Sequence, residues 1–350
     1  MNNGTHSIYE NNIAKNYNFN INIYTFHKLA LEILNQNSIP YVIAPDNYLN
    51  SVIDNFFENI IPQNKLYKKC LSILLSKKQS KKEIINLKRL INTFISLFKS
   101  NNYDIKHFLT ILKKIKYTLN YKNYIRNKSL LLLIINIYIM YEYELSKENS
   151  LDFNDMINKS ISILKSHGIK KKWKYIIIDE YQDTSLTKFN MINELMKITN
   201  ANLLAVGDDF QSIYKFTGCD ISLFLNFDKY FSDSKIMKIE NTYRNSMELI
   251  EIAGNFVMKN KKQIQKKLKS NKNIVIPIEI IFYQNFKDSF INIIKKIYYE
   301  TKKPIMILGR NNNDINLLLG EDIKIDKGGR LTYLKDKEID MYYLTAHKSK

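Results

Sequence analysis

Residues 178–185 read Ile178-Asp179-Glu180-Tyr181-Gln182-Asp183-Thr184-Ser185 and follow the apolar run Tyr175-Ile176-Ile177. A short continuous apolar run predicts a buried parallel strand. The carboxylates of Asp179 and Glu180 then stand at its C-terminal tip, where open α/β sheets place ligand sites. The first can hold Mg²⁺, usually through water, and the second can orient an attacking water. A bare Asp-Glu pair would more often be an acidic turn before a helix. The full octet at a strand end is far more specific.

A second strand is expected at Leu203–Val206, after a helix over Lys188–Lys197. It runs into Gly207-Asp208-Asp209-Phe210-Gln211-Ser212-Ile213-Tyr214-Lys215-Phe216-Thr217-Gly218. Gly207 allows a tight turn off the strand. Gln211 can hydrogen-bond a terminal phosphate or the attacking water. Tyr214 and Phe216 flank Lys215, which suits stacking of single-stranded bases beside a phosphate contact. Two core aromatics would give the same spacing.

Upstream, Ile21–Tyr24 alternates and is β-prone, so a short strand is expected, then a helix from Leu29 to Leu34. Pro40, Pro45 and Asp46 interrupt the chain. From Tyr48 to Leu145 the pattern is helical: Ile84, Leu87, Leu90, Ile91, Phe94, Ile95 and Phe98 mark one apolar helix face. The most apolar stretch, Leu130–Tyr141, is shorter than the roughly 20 residues of a membrane span and reads as a buried helix. Beyond Ile236, strands are expected at Ile274–Tyr283, Pro304–Leu308 and Met341–Thr345, with helix end and loop over 259–272.

The 350 residues carry 53 Lys and Arg against 34 Asp and Glu, formally +19. Such an excess favours a polyanionic partner, although a lysine-rich codon bias would raise it too. The two cysteines, Cys70 and Cys219, lack metal-ligand spacing, which argues against a disulfide framework or a zinc site and fits a reducing cytoplasm. The polar N-terminus has no apolar signal core.

Together, residues 178–185 and 206–218 resemble motifs II and III of the UvrD/Rep superfamily 1 DNA helicases, in the helicase IV form. Asp220-Ile221-Ser222-Leu223-Phe224 continues that likeness. Thr25-Phe26-His27 resembles the family's TFH single-strand contact, although a capping threonine at a helix start would look the same. Asp152-Phe153-Asn154-Asp155-Met156 resembles the helix leading toward motif II. Asn241-Thr242-Tyr243-Arg244 resembles motif IV, where the family stacks the tyrosine on adenine and reaches the γ-phosphate with the arginine. Gly309-Arg310-Asn311-Asn312 and Thr345-Ala346-His347 resemble the strand-end motif and the start of motif V.

The resemblance implies RecA-like P-loop NTPase domains, both incomplete here, with an all-helical insertion. Residues 1–38 and 165–235 would be domain 1A, 39–164 the insertion 1B, and 236–350 domain 2A. Domain 2B would be essentially absent, since only about 30 residues separate Asn312 from Met341. Implied ligands are ATP, Mg²⁺ and single-stranded DNA or DNA with a 3′ single-stranded tail, with no membrane. The implied ATP-site residues are Asp179, Glu180, Gln211, Tyr243 and Arg244. The implied DNA contacts are Thr25, Phe26, His27, Tyr214, Phe216, Arg310, Asn312, Thr345 and His347. The implied process is 3′-to-5′ unwinding in DNA repair.

No GxxxxGK[ST] segment occurs in residues 1–350, and no motif VI follows motif V. This polypeptide alone is therefore expected to be a weak or inactive ATPase. The rival expectation is a truncated single-strand-binding remnant. A metal nuclease is disfavoured, because no further carboxylate or histidine cluster completes a two-metal site.

Overall fold

The structure is a computed structural model and describes residues 21–76, 79–118, 120–282, 286–309, 323–325, 330–333, 339 and 341–345. The described residues group into two compact units, one of residues 24–272 and one that includes the residues from 273 onward.

The first unit opens with helix α1 (Phe26–Gln36), whose first turn is capped by the Thr25 hydroxyl accepting from the Lys28 amide. Residues 21–25 form no strand. The alternation of Ile21 and Ile23 finds no neighbouring strand among the described residues, and a strand without a ladder partner leaves its backbone groups to solvent. After α1, strand β1 (Val42–Ile43) lies in the proline-flanked segment.

The expected helical stretch is present as α2 (Tyr48–Asn55), α3 (Lys65–Leu74), α4 (Lys81–Ser100), α5 (Ile105–Thr118) and α6 (Tyr121–Lys147). A capping box of Ser80 and Glu83 starts α4. Ile91 and Ile95 of α4 are fully buried with Phe98, Phe108, Leu133, Ile134 and Ile137 in one apolar core. At 27 residues, α6 is longer than the apolar run read from the sequence, and by length and composition alone it could cross a membrane. Its Leu131, Leu133, Ile134, Ile137 and Tyr141 are buried in the core of this helical block.

Strand β2 (Ser150–Leu151) pairs in parallel with β1. Helix α7 (Phe153–His167) follows, started by a capping box of Asp152 and Asp155. Although its sequence places it within the helical insertion, α7 buries Met156, Ile157, Ile161 and Leu164 against Ala30, Ile33 and Leu34 of α1. A second core thus forms beside the first.

Strand β3 (Tyr175–Ile178), helix α8 (Leu186–Thr199) and strand β4 (Asn202–Ala205) form the expected unit. The two strands are parallel, with Ile178 opposite Ala205. Ile178 and the partly buried Ile176, Leu203 and Ala205 pack with Tyr181 and Ile192. The run is not buried on both sides as its composition predicted: Tyr175, Ile177, Leu204 and Val206 are exposed. Only one face of this two-stranded sheet is covered among the described residues. Short helices α9 (Ser222–Leu225) and α10 (Phe227–Tyr230) and helix α11 (Met247–Val257) complete the unit.

The second unit contains α12 (Phe286–Thr301), β5 (Ile305–Gly309), β6 (Ile323–Ile325), β7 (Arg330–Tyr333) and β8 (Met341–Thr345). The sheet order is β5-β8-β7-β6. The β5–β8 pair is parallel, but β6–β7 and β7–β8 are antiparallel, so this sheet is mixed rather than wholly parallel. The expected strand over 274–283 is not formed in residues 274–282. Pro277 removes a ladder donor from its centre, and Val275 and Phe282 are exposed.

Candidate ATP and DNA site

The chain leaves β3 through Asp179 and Glu180. Glu180 adopts the left-handed conformation at φ 50°, an uncommon state for a residue with a Cβ. It starts a single 3₁₀ turn over Tyr181–Asp183. The Glu180 amide donates to Asp179 Oδ1 at 2.9 Å. Both carboxylates are exposed, and among the described residues no lysine or arginine forms an ion pair with either. They stand open at the strand tip as expected.

Gln182 ties this turn to the second motif. It is buried, donates from Nε2 to Glu180 Oε2 at 2.5 Å, and accepts at Oε1 from the Asp208 amide at 3.0 Å. Gly207 explains the close approach: a Cβ there would lie 2.5 Å from Gln182 Oε1 and 2.8 Å from the Phe224 ring. Backbone bonds from Val206 to Ile178 and from Tyr181 to Val206 extend the β3–β4 ladder into both turns.

Gln211 does not face Glu180 here. Its Nε2 donates to Asp208 Oδ2 at 2.8 Å. Asp208 and the buried Asp209 share Lys266, whose Nζ lies 2.5 Å from an oxygen of each. Asp209 Oδ2 also accepts from the Ile264 amide at 2.7 Å. The Lys266 ammonium sits 4.3 Å above the Phe210 ring. Burial works to raise the Asp208 carboxyl, but hydrogen bonds from Lys266 and Gln211 outweigh it and hold the group below the ordinary carboxylate range. Lys266 was invisible in the sequence, where it is one residue of a lysine-rich stretch. Gln182 was in plain view within the octet, but nothing there showed that its amide spans two motifs.

The TFH segment lies beside this turn through Lys188. The Lys188 ammonium is 5.5 Å from the Phe26 ring centroid and donates to the Asp183 carbonyl at 3.4 Å. Burial, then the Lys188 charge, pulls His27 below the ordinary histidine range, and its ring packs edge-on to Phe153 at 5.2 Å. Thr25 serves as the helix cap, the plainer of its two expected roles. Burial and the Glu180 charge raise the Asp183 carboxyl. Tyr181 is fully buried, and burial with the nearby Tyr230 pushes its hydroxyl up to about 12.

Tyr214 and the backbone of Phe216 belong to the loop after Gln211, with a 3₁₀ turn at Lys215–Thr217. Gly218 then takes φ 93°. The segment returns to the first motif: the Asp220 amide donates to the Thr184 carbonyl at 3.0 Å, and Cys219 Sγ to the Asp183 carbonyl at 3.0 Å.

Tyr243 and Arg244 are exposed in a segment strapped to residues 269–272 by backbone bonds. Among the described residues no hydrogen bond or ion pair joins either to Asp179, Glu180 or Gln211. Thr345 ends β8. Arg310, Asn312 and His347 lie outside the described residues.

Residues 6–232 match the UvrD/REP helicase N-terminal domain. The chain belongs to the UvrD/Rep helicase family. That membership implies a RecA-like α/β fold, which the β3–α8–β4 unit accords with. The ATP-dependent DNA helicase Rep of Buchnera aphidicola subsp. Schizaphis graminum is 31% identical over 272 residues, covering 68% of this chain and 40% of that protein. DNA helicase IV of Escherichia coli K12 is 35% identical over 130 residues, covering 37% and 19%. The ATP-dependent DNA helicase PcrA of Leuconostoc citreum is 30% identical over 140 residues, covering 39% and 19%. The chain spans 40% or less of the length of these relatives.

Proposed function

We propose that this chain is part of an ATP-driven 3′-to-5′ DNA helicase motor, with Asp179 and Glu180 as its hydrolytic carboxylates. The observation that carries this reading is the open Asp179–Glu180 pair at the tip of β3, locked to the Asp208 turn by Gln182. The arrangement fits Mg²⁺ held mainly by water and phosphate oxygens: Asp179 keeps one carboxylate oxygen free of its turn bond to the Glu180 amide. Among the described residues no group of three or more ligating side chains gathers. Bound Mg²⁺ would neutralise phosphate charge.

Asp179 would hold that ion through water, and Glu180 would accept a proton from the attacking water. Gln182 fixes the Glu180 carboxylate, leaving little reorganisation for turnover. Gln211 would turn from Asp208 toward phosphate. Tyr243 would stack on adenine and Arg244 would meet the γ-phosphate. Thr25, Phe26, His27, Tyr214, Phe216, Arg310, Asn312, Thr345 and His347 would contact single-stranded DNA. We assign residues 1–38 and 165–235 to domain 1A, 39–164 to 1B and 236–350 to 2A; the helical block has an apolar core separate from that of α1 and α8, and α7, within 39–164, packs with the latter. Cys70 and Cys219 are free thiols, in keeping with a reducing cytoplasm.

The 350-residue polypeptide itself contains no GxxxxGK[ST] segment, so it should bind single-stranded DNA while hydrolysing ATP negligibly. A single-strand-stimulated ATPase assay on residues 1–350 tests this. Robust turnover that Glu180→Gln abolishes would refute the expected inactivity while supporting the site.

A further inference from the structure

The C-terminal end of α4 carries Lys99, which is 4% exposed and sits among three carboxylates. Its Nζ lies 2.6 Å from Glu142 of α6, 2.9 Å from Asp152 and 2.8 Å from Asp155 at the start of α7. Tyr141 of α6 completes the cluster: its hydroxyl donates to Asp152 at 3.0 Å, and Lys99 stands 4.9 Å from its ring centroid. Asn158 of α7 donates to the Lys99 carbonyl at 3.3 Å. An ammonium this deeply buried is held only by its partners, so the end of α4 is pinned to α6 and α7.

The next residue faces the other way. The Ser100 carbonyl accepts from the buried Thr187 hydroxyl at 3.1 Å, in the first turn of α8. Ser100 Oγ also fills the space where a side chain on Gly218 would go, with Leu97 beside it. Gly218 is held at positive φ, and its neighbours Cys219 and Asp220 bond back to Asp183 and Thr184. One helix end therefore touches α7 through Lys99 and the loop after Gln211 through Ser100.

We propose that Lys99 and Ser100 form a latch that positions the Gln211–Asp220 loop, so that the helical block sets the geometry of the aromatic segment at Tyr214–Phe216. Neither residue touches the carboxylates of the proposed ATP site. Lys99 anchors the helix end to α6 and α7, and Ser100 meets Thr187 and Gly218. The consequence for DNA rests on the reading of Tyr214 and Phe216 proposed above; the mechanical link does not.

The test is hydrogen exchange on residues 1–350 without DNA, following the amides of Thr217, Gly218 and Asp220. Each is bonded within the loop or to Thr184. In Lys99→Met these amides should exchange at least tenfold faster, while those of Ala30–Leu34 in α1 keep their rates. Lys99→Arg, which can still meet the carboxylates, should restore most of the protection. If Lys99→Met does not fold, Thr187→Val removes the hydroxyl that bonds the Ser100 carbonyl and Ser185 Oγ, and should loosen the same three amides. Unchanged loop exchange in either folded variant, or an increase equally large in α1, overturns the proposal. A parallel titration of Tyr214→Ala with a fluorescent oligothymidine reports on the DNA reading by itself. Wild-type affinity there would refute the stacking role and leave the latch standing.

Discussion

The buried side chain of Gln182 accepts from the Asp208 amide at 3.0 Å while donating to Glu180. A single amide thus fixes the distance between the two acidic turns. It requires Gly207 beside it, because any Cβ there would overlap Gln182 and Phe224. Gly207→Ala should therefore cost about 1–3 kcal/mol of stability through overpacking. Urea unfolding of the two proteins measures this, and a midpoint equal to the parent's would show that the turn relaxes freely.

Lys266 is the counterion of Asp208 and of Asp209, and the Asp209 side chain is fully buried. Removing one partner of a buried pair leaves the other charge unsolvated, at a typical cost of about 3–5 kcal/mol. Lys266→Met should approach that loss in chemical denaturation, and the double change with Asp209→Asn should recover part of it. Additive losses in the double variant would mean the pair is not coupled.

Both relationships join residues far apart in the chain and leave no local mark in the sequence. The octet and the Gly207–Gly218 segment announced themselves because their residue types sit at strand ends in a fixed order. Helices α4 and α6 were legible from apolar periodicity. What stayed hidden depends on long-range packing: Lys266 reaches back about 58 residues to Asp208, and α7 joins the core of α1. The expected strand at 21–24, and that at 274–283 over its described residues 274–282, do not form, because β-prone composition cannot supply a partner strand. The antiparallel β6–β7 pair is written in short alternating runs, Ile323-Lys324-Ile325 and Arg330-Leu331-Thr332-Tyr333, around Gly328-Gly329, a hairpin signal that the strand reading above does not include.

The Lys99 cluster makes stability depend on pH near neutrality. Burial and the charges of Asp152 and Glu142 push the Asp155 carboxyl up to about 7 against the pull of Lys99, while Asp152 is held below its ordinary value. Tyr138 and Tyr141 of α6 are the other titratable groups facing it, and burial raises both well above neutrality. A raised folded value means that Asp155 adds stability below the unfolded value of 3.8 and loses it as pH climbs toward 7. The stability of the parent relative to Asp155→Asn should thus fall between pH 5 and pH 7.5, measured by urea midpoints. A constant difference across that range would place the buried proton elsewhere.

With a formal charge of +19, residues 1–350 should bind single-stranded DNA with an affinity that drops steeply as salt rises. Phe216→Ala should weaken binding by about 1–3 kcal/mol without changing the salt slope, because stacking carries no charge. A lower slope with unaltered affinity would mean that Phe216 is not a stacking platform.

We propose that Asp179 and Glu180 carry out ATP hydrolysis that single-stranded DNA stimulates. Single-strand-stimulated ATPase can be measured in a polypeptide that joins residues 1–350 to a GxxxxGK[ST] segment upstream and an arginine-bearing motif VI downstream, whether native or grafted from a relative. Turnover should appear and depend on DNA. Glu180→Gln should keep nucleotide binding and abolish turnover, and Arg244→Ala should lower the rate by about 10³-fold, as for other arginines that meet a transferred phosphoryl group. A folded protein that hydrolyses ATP at the same rate with Gln at position 180 would show that Glu180 is not the catalytic base.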